Sequence, residues 1–160
     1  MSRLVRLTVA LAASLSLACG EKAAETPARV VGHLYTDARS GVGLDLPSVW
    51  QGRYRVGDSV TTTTAGLERE LAFRFVRADS TLVAEPLIVV RVFKTAEWNK
   101  IPADAAGGLF GTVIASDDSR TVAVRTAAGN PLAQGTADAL AYDSLMMIVL
   151  QRPMRASLRP

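Results

Sequence analysis

The sequence predicts an α+β fold, a mainly antiparallel β-sheet with a long C-terminal helix and a short helix packed on it. Three observations carry this. Several short segments alternate apolar and polar residues with the two-residue period of half-buried strands, among them Leu71, Phe73 and Phe75 between Ala72, Arg74 and Val76. The run Pro86-Leu87-Ile88-Val89-Val90-Arg91-Val92-Phe93 is nearly all apolar, as expected of a central strand covered on both faces. From residue 137 to about 150, Ala137, Leu140, Ala141, Leu145 and Ile148 recur at helical spacing, and Tyr142, Met146 and Val149 widen the stripe.

Taken in order, the domain opens with Val30-Val31-Gly32-His33-Leu34-Tyr35, a β-prone segment. Turn residues at 36–41 and the alternating Val42-Gly43-Leu44-Asp45-Leu46 then complete a hairpin. Pro47 ends that strand. Arg53-Tyr54-Arg55-Val56 begins another, with Tyr54 and Val56 on one face and both arginines on the other. Residues 58–66, with threonine at 61 to 64, read as a polar connection or an edge strand. After the central strand, Thr95 offers an N-cap for a short helix over 96–100, stopped by Pro102. Residues 109–115 and 121–126 flank Ser116-Asp117-Asp118-Ser119, a four-residue hairpin connection. Thr136 is the expected N-cap of the long helix, with Asp138 well placed in its first turn. Beyond it, residues 153–160 read as a polar tail that frays.

The N-terminal residues carry a different signal. Arg3 and Arg6 form a basic n-region, an apolar stretch follows over 7–17, and small Ala18 precedes Cys19, the only cysteine. This is the layout of an export signal, and its apolar core is too short to span a bilayer. Leu15-Ser16-Leu17-Ala18-Cys19-Gly20 resembles the lipobox of bacterial lipoproteins, with Ser16 where leucine is usual. The resemblance implies a signal peptide over 1–18, a lipid-modified Cys19 and a membrane anchor in the cell envelope, on the periplasmic or surface side. Ser16-x-Ala18 also satisfies ordinary signal peptidase cleavage, which gives a soluble secreted protein with a free thiol. Residues 19–29 are small and charged and read as a tether, ten residues of which reach at most ~35 Å. One domain is expected over 30–152.

Composition narrows the function classes. The chain of 160 residues has 18 Lys+Arg and 15 Asp+Glu, and loss of Arg3 and Arg6 with the signal brings it close to neutral. Nucleic-acid binding, which needs an uncompensated basic surface, is not expected. With one cysteine, no internal disulfide can form, so packing alone must stabilise the domain. No cofactor motif is present. Gly41-x-Gly43 lacks the third glycine and following helix of a dinucleotide fingerprint, and Gly107-Gly108-Leu109-Phe110-Gly111 lacks the Lys-Ser/Thr of a phosphate loop. His33 is the only histidine, which removes any two-histidine metal site, so no metal ligands are assigned. Asp117 and Asp118 fit turn chemistry rather than a calcium loop. Glu68 and Glu70, two apart, read as surface charge.

Trp50 and Trp98 bring large apolar area and one N–H donor each to a core or to a binding face, and core is the expected role. Arg53 and Arg55 beside Trp50 are candidates for the rim of an acidic-ligand site. Together Trp50, Arg53, Arg55 and Trp98 form the candidate binding set, and no catalytic residue is assigned. Two segments, residues 35–56 with Pro47-Ser48-Val49-Trp50 and Val92-Phe93-Lys94-Thr95-Ala96-Glu97-Trp98, resemble uncharacterised bacterial exported proteins of the PsbP-like α/β/α sandwich type. That resemblance implies an antiparallel sheet with helices on both faces and a non-enzymatic role, binding a protein partner or small ligand. The alternative is a small envelope hydrolase using His33 with a serine or acid, Ser48 or Asp45, brought near by folding.

Overall fold

The computed structural model describes residues 32–58, 64–151 and 154–159. The signal peptide, Cys19 and the tether lie outside the described residues. In chain order the elements are strand β1 (Gly32–Asp37), β2 (Val42–Pro47), a single 3₁₀ turn (Ser48–Trp50), β3 (Tyr54–Asp58), β4 (Leu67–Val76) and β5 (Leu82–Lys94). Helix α1 (Thr95–Trp98), helix α2 (Ala103–Ala105) and a π-helical turn (Ala106–Phe110) lead to β6 (Thr112–Ser116) and β7 (Arg120–Thr126). Helix α3 (Ala137–Gln151) and β8 (Arg155–Leu158) complete the domain.

The strands form two antiparallel sheets, one of order β1-β2-β8 and one of order β3-β4-β5-β7-β6. The α+β class with mostly antiparallel pairing therefore holds, and β5 is the central strand of the larger sheet. Register fixes which side chains share a face, since a one-residue slip would invert them all. Leu71, Phe73 and Phe75 of β4, Ile88, Val90 and Val92 of β5, and Val122 and Val124 of β7 point into one core. Val42, Leu44 and Leu46 of β2 close that core at one end, and Tyr142, Leu145, Met146 and Val149 of α3 close it at the other. Trp50 sits where these layers meet and is completely buried.

The opposite face of the large sheet carries Phe93, which Trp98 and Phe110 cover at ring distances of 5.0 and 5.1 Å. The short helix is thus packed on the sheet as the sequence predicts, but Thr95 does not cap it. Its hydroxyl donates to the Asp117 carbonyl and bonds Thr121 Oγ1, and Lys94 occupies the cap position. The Asp117 turn forms as expected, its carboxylate accepting from Ser119 N–H, the Ser119 hydroxyl and Arg120 N–H. Those bonds, the Arg120 one foremost, hold the Asp117 carboxyl below the usual range. Thr136 caps α3 through Ala139 N–H at 3.1 Å.

Three further expectations need correction. The tail after residue 152 does not fray, because Met154, Ala156 and Leu158 turn inward between Arg155, Ser157 and Arg159, and this alternation lets β8 pair with β2. Arg120 fastens the strand by donating to the carbonyls of Ser40 and Arg159. Gly43 lies within β2, as the hairpin reading has it, and is close enough to β8 that an added Cβ would stand 2.6 Å from Ser157 Oγ. The strand expected over 109–115 begins only at Thr112, since 106–110 continues the turn from α2. Gly111 makes the reversal at φ +96°, so close to β7 that a Cβ would stand 2.0 Å from the Val124 carbonyl oxygen. The central strand starts before Pro86, at Leu82. The β4–β5 ladder slips where Pro86, which has no N–H, faces Arg74.

Candidate functional site

The strand pleat puts a set of arginines on the face of the large sheet turned away from the core. Tyr54 and Val56 pack on the core, so Arg55 and Gly57 face outward on β3. By the same alternation Glu70, Ala72 and Arg74 face outward on β4, Val89 and Arg91 on β5, and Ala123 and Arg125 on β7. Arg55 stands directly opposite Arg74, a like-charge cross-strand pair that costs stability in the absence of an anion. Arg74 lies beside Gly57, where an added Cβ would stand 3.0 Å from its Nη1, and its Nε donates to the Ala84 carbonyl at 3.1 Å. Arg125 faces out opposite Val89. Only Arg91 is neutralised, by Glu70, with Nε to Oε2 at 2.6 Å and both side chains nearly buried. Among the described residues no carboxylate lies within ion-pair distance of Arg55, Arg74 or Arg125.

Beside this face, a cavity of about 340 Å³ is lined by Glu85, Val89, Gly108, Arg125 and Thr126. A second, of about 240 Å³, lies between α3 and the loop after β7, against Asn130, Tyr142, Met146, Met147 and Leu150. Ala127 and Ala128 line both. Burial, with the Glu85 and Asp143 carboxylates nearby, pushes the Tyr142 hydroxyl up to about 12, so it stays protonated in neutral solution.

The predicted set does not assemble into one site. Trp50 is in the core, its Nε1 donating to the Leu145 carbonyl at 3.3 Å, so it is a packing residue and offers no ligand surface. Trp98 is half-buried against Phe93 and Phe110. Arg53 precedes the strand and escapes its alternation. Its guanidinium lies 5.4 Å from the Phe75 ring, on the core side of the sheet, and leaves Arg55 as the member of the pair on the outward face. Glu70, read as surface charge, is the buried partner of Arg91. Arg74 and Arg125 were missed because only strand pairing sets Arg74 opposite Arg55 and puts Arg125, two strands further on, on the same face. The one sequence signal was the recurrence of arginine at outward positions of three strands.

His33 faces the core side with Leu46, its register partner, and its Nε2 bonds Tyr54 Oη at 2.9 Å under a stacked ring. Asp45 faces outward from β2, away from it. Nearby, Arg69 of β4 ties the two sheets together through Asp37 of β1, at 3.0 Å, and also pairs with Asp58 of its own sheet, at 2.7 Å. Burial alone would raise the Asp37 carboxyl, but the Arg69 guanidinium and the Ser40 N–H and hydroxyl outweigh it and hold Asp37 below the usual range. No group of three or more His, Cys, Asp or Glu side chains gathers at metal-binding distance among the described residues.

Comparison with known proteins finds no matching family model, curated protein or solved structure.

Proposed function

We propose that this protein is a bacterial envelope lipoprotein, moored through an acylated Cys19, whose PsbP-like domain binds an anionic partner or ligand without catalysing a reaction. The observation that carries the binding part is the outward face of the large sheet, where Arg55, Arg74 and Arg125 stand without carboxylate partners among the described residues. Unneutralised guanidinium groups over a floor of small apolar residues, Ala72 and Val89, are suited to carboxylate or phosphate, which they bind bidentately. The PsbP-like part is supported by α1 on one face of that sheet and α3 on the other. The anchor is supported by the sequence around Cys19. Among the described residues no helix is long and apolar enough to cross a membrane.

Two measurements test this reading. Intact-mass analysis of the mature chain is expected to show a polypeptide starting at Cys19 and heavier by its acyl groups, recovered with membranes. An unmodified thiol in the culture medium would overturn the anchor. For the binding face, the triple variant Arg55→Gln, Arg74→Gln, Arg125→Gln is expected to fold and to lose retention on an immobilised phosphate or carboxylate resin at low salt. Retention equal to that of the parent chain rejects the face as the site.

A further inference from the structure

The two cavities share a wall. Ala127 and Ala128, which follow β7, line both the Arg125 cavity on the outward face of the sheet and the cleft along α3 on its core face. On the α3 side the outward surface is unusually apolar for a solvent-facing helix: Leu140 is 63% exposed, Met147 52% and Leu150 67%. On the sheet side, Glu85 and Arg125 both line the cavity, yet among the described residues no ion pair joins them. Two opposite charges that line one cavity without pairing, next to a mostly apolar cleft, complement a dipolar head carrying a single hydrocarbon tail.

We infer that these clefts form one site for a single-chain amphiphile whose head bears a phosphate beside an ammonium group. Arg125 takes the phosphate in a charge-assisted, bidentate contact, and Glu85 takes the ammonium. The tail crosses Ala127 and Ala128 and lies on Met147 and Leu150, where the flexible methionine adapts to its path. Combined, the cavities reach the size range of small-molecule sites. The inference rests on the anion-binding reading above and narrows it to a class of ligand.

The test is calorimetric titration of the full chain carrying Cys19→Ser, so that no acyl group of its own competes. The titrants are lauroyl lysophosphatidylethanolamine below its micelle threshold, dodecyl phosphate, and tail-less glycerophosphoethanolamine. The expected result is saturable binding of the lysolipid, weakened about tenfold or more by Arg125→Gln, as for a lost hydrogen bond to a charged group. Met147→Lys and Leu150→Lys, at exposed positions where folding is preserved, should weaken both tailed compounds. Glu85→Gln should weaken the lysolipid and spare dodecyl phosphate. Absence of saturation, or an Arg125→Gln variant that binds as well as the parent, overturns the site. Equal affinity for the tail-less compound removes the apolar half and leaves the anion-binding reading standing. Binding to phosphatidylethanolamine vesicles but not to the monomer assigns the surface to a bilayer and also overturns the inference. If no anion of any kind binds, both readings fall.

Discussion

Trp50→Ala is expected to lower stability by about 3–5 kcal/mol, the range for removing a large aromatic from a core. The side chain has no solvent exposure, packs 6.0 Å from the Tyr54 ring, and donates its N–H to the Leu145 carbonyl of α3. It therefore joins the small sheet, the large sheet and the helix at one point. Set against the 5–15 kcal/mol typical of a domain, the loss is a large share of the whole. Urea unfolding followed by circular dichroism should show a lower midpoint with an unchanged slope. Trp50→Phe, which keeps much of the volume and loses the N–H donor, should recover part of the difference. A Trp50→Ala midpoint equal to the parent's would show that the residue is not packed as described.

The second large effect is expected at Asp37→Asn, at about 3 kcal/mol in neutral solution, the lower end of what breaking a buried ion pair costs. Arg69 keeps its contact to Asp58 at 2.7 Å, which limits the damage, but Asp58 is far more exposed than Asp37 and cannot replace it fully. The pH dependence has a definite sign. The folded Asp37 carboxyl ionises below its unfolded value of about 3.9, so its contribution is complete above that value and is lost as pH falls through the folded one. Parent and variant should differ most above about pH 4 and converge at lower pH. Stability curves measured across the acid range check this, and a gap that stays constant down to acid unfolding contradicts the ion-pair assignment.

Much of the secondary structure was legible because it rests on local rules. The alternation of Leu71, Phe73 and Phe75, the apolar run around Val89 and Val90, the Asp117 hairpin turn and the Thr136 cap all depend on residues a few positions apart, and all formed. The elements that escaped depend on partners far away in sequence. Residues 155–158 hold only four strand residues among arginines, and nothing nearby says that β2 has an unfilled edge. The π-helical turn reads as a loop because Gly107 and Gly108 break any helical pattern, and the turn is instead shaped by Phe110 reaching Phe93. The candidate site was legible only at Arg55. Arg74 sits on the adjacent strand β4 and Arg125 on β7, three strands from Arg55, and without the register they are ordinary polar positions of half-buried strands. Arg53 was misplaced for the opposite reason, since alternation was extended one residue beyond where the strand begins.

The pairing of β2 with β8 has a consequence for biogenesis. Val42 waits for Leu158 while almost the entire described chain is made between them, so the small sheet closes last. In that interval one flank of β2 has unsatisfied N–H and C=O groups, open to any extended polypeptide that reaches it first. The closing strand of a neighbouring molecule is the best-matched intruder. Crowded synthesis thus favours exchanged dimers, each chain completing the other's sheet.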